Sequence, residues 1–308
     1  LKKVLAIVGP TCTGKTALSI YLGKHIPAEI ICCDSRNIYK YFDIGSAKPS
    51  NEERAAIPHH LIDMAEPDEN FTAAQFAQLG QRAIEEITAR NRLPIVCGGT
   101  GFYARALLQG LGIPEVPPQE ELRAELKEKE AGDPGWLHKR LSDLDPVSAA
   151  RLNPNDQFRL IRALEVCIVT GKSFTELASV HKAPYDVLWI GLSIKDRDKL
   201  KLLIKKRLDE QMATGMLAEV KELLNRFGST QKMMNTVNYR DLLKYLAGEL
   251  SMEQALTEAG RHNYQLARRQ MMWFKSNPDI NWFFVDELSR EKIELQVLDM
   301  VRTFTSQS

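Results

Sequence analysis

Val4-Leu5-Ala6-Ile7-Val8, followed by Gly9-Pro10-Thr11-Cys12-Thr13-Gly14-Lys15-Thr16, is the stretch that decides the fold. The apolar run is uninterrupted, which suits a strand covered on both faces of a parallel sheet. The residues after it fit G-x-x-x-x-G-K-[ST], and Ala17-Leu18-Ser19-Ile20-Tyr21-Leu22 then continues as a helix. Strand before and helix after is the context that gives this pattern meaning. The glycines let the backbone curl so that successive N–H groups point at phosphate oxygens, and the helix N-terminus adds partial positive charge. Lys15 supplies a point charge and Thr16 a hydroxyl suited to Mg²⁺.

Outward from the loop, a second buried strand is expected at Ile30-Ile31-Cys32-Cys33, ending at Asp34. A helix from about Thr72 to Arg90 leads into a third strand, Leu93 to Cys97, which closes in Gly98-Gly99-Thr100-Gly101. This alternation predicts an α/β fold, a P-loop NTPase-like parallel sheet flanked by helices, with ligands at the carboxyl ends of the strands. The pattern changes after Gly110. Pro114, Pro117 and Pro118 mark a linker, and residues 119 to about 181 read as helices only. Asn153-Pro154 predicts an N-cap with proline at the first helical position, and Gly171 a C-cap. Strand character returns at Val187 to Leu192, and Trp282-Phe283-Phe284-Val285 reads as an edge strand. The expected organisation is a P-loop core over 1–117, a small all-helical insertion over 118–184, and the rest of the core over 185–308 with basic C-terminal helices.

The 308 residues can bury a full core. A net charge of +1 excludes a global basic field, so a nucleic-acid partner would have to meet a local patch. No apolar run approaches the roughly 18–20 residues of a membrane helix, and Val4 to Val8 is too short for a signal-peptide core. The chain opens on Leu1 rather than Met, so a few residues are expected to have been trimmed. The cysteines Cys12, Cys32, Cys33, Cys97 and Cys167 lie mostly in apolar runs without zinc spacing, which fits a reducing cytoplasm.

Asp34 is the one acid at a strand end. It could act as a general base, ligate a metal, or cap a turn with Ser35. The strand ending at Cys97 has no acid after it, unlike an NTPase that places an aspartate there for Mg²⁺. The polar stretches Asp34 to Tyr39 and Asp43 to Pro49 read either as binding loops or as plain surface. Arg159 and Arg162 share a helical face, and Arg207 follows Lys205 and Lys206; both groups suit either phosphate contacts or a solvated face. From Arg261 to Lys275, basic residues interleave with Tyr264, Trp273 and Phe274, as nucleic-acid contacts or an amphipathic helix would.

Taken together and in order, these segments resemble the bacterial tRNA dimethylallyltransferases (tRNA isopentenyltransferases). The Gly-Pro-Thr-x-x-Gly-Lys-Thr loop stands at Gly9 to Thr16, Asp-Ser-x-x-x-Tyr at Asp34 to Tyr39, and Asp-Ile-Gly-x-Ala-Lys-Pro at Asp43 to Pro49. Gly-Gly-Thr-Gly-x-Tyr stands at Gly98 to Tyr103, Asn-Asp-x-x-Arg-x-x-Arg-Ala-Leu-Glu-Val at Asn155 to Val166, and Ala-[Lys/Arg]-Arg-Gln-x-x-Trp-Phe at Ala267 to Phe274. The resemblance implies transfer of a dimethylallyl group from dimethylallyl diphosphate to N6 of adenosine 37 in tRNA. In that reading Gly9 to Thr16 hold the diphosphate, with Lys15, Thr16, Arg207 and Mg²⁺ stabilising its departure and Asp34 accepting the proton. It further implies tRNA contacts at Asp34, Ser35, Arg36, Asn37, Thr100, Arg123, Gln157, Phe158, Arg159, Leu160 and Ile161. Tyr239, Arg240, Arg268, Arg269, Gln270, Trp273 and Lys275 complete the expected set. A cytoplasmic monomer is expected. The chain departs from the pattern at Asn37 (often Gln), Asn238 (usually Gly), Asn263-Tyr264 (Thr-Arg) and Met272 (Thr), which bears on tRNA choice. An adenylate dimethylallyltransferase, a small-molecule kinase and a non-catalytic RNA-binding protein are the competing readings.

Overall fold

The computed structural model describes residues 1–178 and 184–306. Along the chain run β1 (Lys2–Val8), α1 (Lys15–His25), β2 (Ala28–Cys32), α2 (Asn51–Ala56), β3 (His59–His60), α3 (Ala73–Ala89), β4 (Leu93–Gly98) and α4 (Gly101–Leu108). Then follow α5 (Glu120–Gly132), α6 (Trp136–Leu144), α7 (Pro146–Arg151), α8 (Gln157–Thr170) and α9 (Phe174–Leu177). The chain continues through β5 (Tyr185–Ser193), α10 (Arg197–Ala213), α11 (Met216–Phe227), α12 (Gln231–Met234), α13 (Tyr239–Leu246), α14 (Met252–Lys275), β6 (Ile280–Phe284) and α15 (Arg290–Ser306).

The six strands form one sheet in the order β3-β2-β4-β1-β5-β6, and every pairing is parallel. Alternation along β1 divides its side chains between two cores. Val4, Ala6 and Val8 pack with residues of α3, α4, α11, α13 and α14, while Leu5 and Ile7 pack with residues of α1 and α15. Both faces are therefore covered, as the unbroken apolar runs require. Trp282 to Phe284 lie in the edge strand β6, paired to β5 with Ser193 opposite Phe284. Thr72 and Gln75 close α3 with a reciprocal capping box, which fixes the start read from the sequence. No helix among the described residues is long and apolar enough to cross a membrane.

Two compact units emerge: Leu1–Leu108 with Pro184–Ser308, and Gln109–Ala183. The first boundary thus falls at 108/109, ahead of the proline linker. The reason is local. Arg162 donates to the carbonyls of Pro114 (3.1 Å) and Val116 (2.9 Å), and Gln119 N donates to Glu165 (2.7 Å), so the linker is tied to α8. The helical unit has its own core, including Leu126, Leu137, Leu141, Leu160 and Leu164. The start of α8 also differs from expectation. Asn153 Oδ1 accepts from Asn155 N (2.9 Å) in a local turn containing Pro154, and Asp156 is the N-cap, accepting from Arg159 N (3.2 Å). Gly171 caps the other end at φ 68°, as read.

Glu165 is the polar centre of this unit, fully buried and clamped by Arg123 at 2.7 and 2.9 Å and by Arg162 at 2.5 Å. Burial by itself would raise its pKa; Arg123, the Gln119 N–H and Arg162 outweigh burial and hold the carboxyl below its ordinary value of 4.5. Glu165→Ala should lower the stability of the helical unit by roughly 3 kcal/mol in urea titrations, the low end for orphaning a buried charge because both arginines keep some solvent contact. A carboxyl with a lowered folded pKa stabilises fully above its unfolded value and progressively less as pH falls. Wild-type stability should therefore drop faster than that of Glu165→Gln below about pH 4.5.

Candidate active site

The loop after β1 folds back on itself. Thr13 Oγ1 donates to Pro10 O (2.9 Å), and Lys15 Nζ donates to the same carbonyl (2.6 Å). Gly14, at φ 85°, leads directly into α1 with no side-chain cap, so the first N–H groups of the helix remain available. Burial pulls the Lys15 pKa down to about 8, and the neighbouring Arg207 charge adds to that. Arg207 Nη1 donates to Thr11 Oγ1 (2.7 Å). Its sequence neighbours behave differently: Lys205 and Lys206 are exposed and pair with Asp209 and Glu210 on the same helix. Neither Lys15 nor Arg207 forms an ion pair among the described residues. Two cations without counter-ions beside free helix N–H groups make a site for an anion.

Asp34 lies just beyond β2. Its Oδ1 accepts from Arg36 N (2.8 Å) and Asn37 N (3.4 Å), so the turn-capping reading holds for this oxygen. Oδ2 takes no hydrogen bond from any described residue and is left for chemistry. The segment is fastened to the end of β4, where Ser35 N donates to Thr100 Oγ1 (3.0 Å) and Thr100 N donates to Cys33 O (3.2 Å). This contact explains the missing acid after β4. A Cβ on Gly98 would sit 2.0 Å from Cys33 O, and one on Gly99 would sit 2.3 Å from Gln270 Nε2. The space an aspartate would need is occupied by backbone and by Gln270, whose Oε1 accepts from Thr11 N (2.9 Å).

These groups share one cavity of about 400 Å³, whose lining includes Lys15, Thr16, Asp34, Thr100, Arg207 and Gln270. Trp273 and Phe102 also line it and are 37% and 39% exposed, their rings 6.0 Å apart, with Arg105 above the indole at 5.8 Å. Ser35, Arg36, Asn37 and Arg269 line the cavity too. Arg36 Nη2 donates to Asn235 O (3.2 Å). No group of three or more metal-ligating acids, histidines or cysteines occurs among the described residues. The Thr16 hydroxyl lines the cavity and makes no hydrogen bond to a described residue, so it is free to act as an oxygen ligand. So few protein ligands suit Mg²⁺, which keeps waters and takes substrate phosphates.

Several residues expected to touch tRNA are buried or paired within the protein. Leu160 and Ile161 are core residues of the helical unit at 0% and 6% exposure, because they carry the apolar face of α8. Tyr239 is fully buried, stacked on Phe42, with its hydroxyl donating to Glu219 (2.6 Å). Asn37 is buried, accepting from Ser46 Oγ (2.8 Å) and donating to Cys32 Sγ (3.5 Å). The Arg123 guanidinium is committed to Glu165. By contrast Gln157, Phe158 and Arg159 stand exposed together at the start of α8, Phe158 at 79%. Arg268 and Lys275 are exposed on α14, and Arg240 lies beside buried Asp241 (3.6 Å). Sequence reasoning missed Phe102, although it sits inside the Gly98 to Tyr103 motif. It also missed His59, which lines the cavity; its Nδ1 donates to Ile57 O (2.7 Å), its Nε2 is buried without a partner, and burial lowers its pKa.

Comparison with known proteins bears on this geometry. A family model described as IPP transferase matches residues 37–277. The tRNA dimethylallyltransferase of Thermomicrobium roseum is 43% identical over 301 residues, covering 95% of this chain and 91% of its own. That of Thermotoga neapolitana is 37% identical over 300 residues, covering 97% and 98%. Among solved structures, the full-length tRNA isopentenylpyrophosphate transferase of Bacillus halodurans superposes with a TM-score of 0.74 at 34% identity, covering 98% of this chain and 96% of that one. A eukaryotic dimethylallyltransferase acting on tRNA gives 0.85 at 26% identity, covering 99% and 80%. A match through most of the sequence, and relatives this similar along nearly their whole length, show that the chain belongs to the IPP transferase family.

Proposed function

We propose that this chain transfers a dimethylallyl group from dimethylallyl diphosphate to N6 of the adenosine at position 37 of tRNA, releasing diphosphate. The observation that carries this reading is that one cavity holds both the anion-binding loop, with Lys15 and Arg207, and the carboxylate of Asp34. A diphosphate on the loop puts its leaving oxygen where N–H groups, an ammonium and a guanidinium can stabilise the charge that develops as the C–O bond breaks. N6 attacks carbon 1, the C–O bond electrons leave with the diphosphate, and the N6 proton passes to Asp34. The turn formed by Arg36 N and Asn37 N fixes the carboxylate while leaving Oδ2 for that proton. Thr16 would hold Mg²⁺, which when bound neutralises diphosphate oxygens.

The acceptor base has to leave its stack to enter a cavity of this size. Phe102 and Trp273 offer ring faces for it or its neighbours, and Arg269 offers a cation to the backbone. In the helical unit, Gln157, Phe158 and Arg159 form the exposed cluster best suited to RNA, and Arg268 and Lys275 on α14 suit phosphates.

Nucleoside analysis of tRNA after incubation with enzyme, Mg²⁺ and dimethylallyl diphosphate tests the reaction; absence of N6-dimethylallyladenosine would refute it. Asp34→Asn should lower turnover by about 10²–10⁴-fold, with tRNA affinity near wild type. Arg207→Ala should weaken kcat/KM for the donor roughly 10- to 100-fold, the worth of a hydrogen bond to a charged group. Because the Lys15 ammonium is lost as pH rises through about 8, affinity for inorganic diphosphate should be flat below that pH. Above it, affinity should fall by up to about tenfold per unit. Calorimetric titration across pH 6.5 to about 9.5 checks this, and Lys15→Arg should flatten the profile.

A further inference from the structure

Two of the departures noted in the sequence touch each other. Asn263 Nδ2, on α14, donates to Asn238 Oδ1 at 2.7 Å, and both residues line the cavity that holds Asp34. Asn238 has φ 75° and ψ −53°, a conformation costly for any residue with a side chain and held only where the surroundings determine it. Here they do. Asn238 Nδ2 donates to Gly45 O (3.1 Å) and to Gln211 Oε1 (3.3 Å), and Gln211 Nε2 donates to Ile44 O (2.6 Å). The second hydrogen of Asn263 goes to Ala259 O of its own helix (2.9 Å).

This relay fixes which way every amide points. It ends on backbone carbonyls at Ile44, Gly45 and Ala259, which can only accept. Turning Gln211 or Asn238 over would set oxygen against carbonyl oxygen. Turning Asn263 over would set its oxygen against both Asn238 Oδ1 and Ala259 O. Both Asn263 hydrogens are thereby committed, and its Oδ1 takes no hydrogen bond from any described residue. The result is a single acceptor of fixed orientation on the wall of the reaction cavity.

We propose that Asn263 Oδ1 receives an N–H of the exocyclic amine on the acceptor base, and that Asn238 is the positioning residue that keeps this oxygen turned toward it. The inference rests on the function proposed above. Asp34 takes the proton that N6 loses, and Asn263 holds the one that N6 keeps. A base without an exocyclic amine leaves Asn263 Oδ1 unpaired and is discriminated against.

The test compares anticodon stem-loop RNAs carrying adenosine or purine riboside at the acceptor position. Purine riboside is the same base without the amine. Each is bound to wild type, Asn263→Leu and Asn238→Gly, with inorganic diphosphate binding as the check that the phosphate loop is intact. The preference for adenosine should fall roughly three- to tenfold in Asn263→Leu, the worth of one hydrogen bond. It should also fall in Asn238→Gly, where the Asn263 amide is free to turn. Glycine is unstrained at this φ, so that variant decides alone if Asn263→Leu loses diphosphate binding. A preference unchanged in these variants overturns the proposal. Failure of wild type to bind either RNA would instead overturn the tRNA reading, and that is seen before any variant is made.

Discussion

The ends of β2 and β4 meet through backbone alone, Gly98 against the carbonyl of Cys33, with no room for a side chain between them. The site depends on this contact. It lets Thr100 reach the amide of Ser35 and so sets the turn that carries Asp34. It also brings that turn to the same edge of the sheet as the phosphate loop, because β1 pairs directly with β4 and Val8 lies opposite Gly98. With Gly99 equally bare, Gln270 can reach past β4 to the amide of Thr11. Ligand binding at the carboxyl ends of parallel strands is general to such sheets; here it is narrowed to one cavity by glycines that remove volume from the strand ends.

The electrostatics are equally local. A chain with a net charge of +1 has almost no overall field, yet Lys15 and Arg207 share one cavity and neither forms an ion pair among the described residues. Most other cations of α10 are paired along the helix surface, as Lys201, Lys205 and Lys206 are with Asp198, Asp209 and Glu210. Surface pairs of that kind contribute little to stability. Arg207 is the cation of this helix that lines the cavity.

Much of the fold was legible because it is written in local patterns. The apolar runs of β1, β2 and β4, the loop between Gly9 and Thr16, the box at Thr72 and Gln75 and the cap at Gly171 each specify themselves within a few residues. Asp34 could be picked out because it follows directly on the buried apolar run of β2. What escaped was whatever depends on residues distant in the chain. Leu160, Ile161 and Tyr239 sit in segments that suit RNA contact by motif, but burial is decided by helix phase and by partners such as Glu219, 20 residues away from Tyr239. Arg123 stands among the expected tRNA contacts, but α8 brings Glu165 to it, 42 residues along. Asn153-Pro154 failed for a subtler reason: an asparagine before a proline serves a turn as well as a cap, and Asp156 two residues later is the better cap.

Helix α14 carries a further consequence. It runs for 24 residues from its box at Ser251, about 36 Å at helical rise. Along that length it bears Asn263 in the cavity wall, Gln270 on the phosphate loop and Trp273 at the aromatic pair. A single rod thus indexes three parts of the cavity lining against one another. The spacing between the cavity wall at Asn263, the phosphate loop at Gln270 and the aromatic pair at Trp273 is set by helical rise, as on a ruler, and not by the compliance of separate loops. A shift of α14 along its axis would therefore move all three positions together, so their mutual distances are a dimension built into one element of secondary structure.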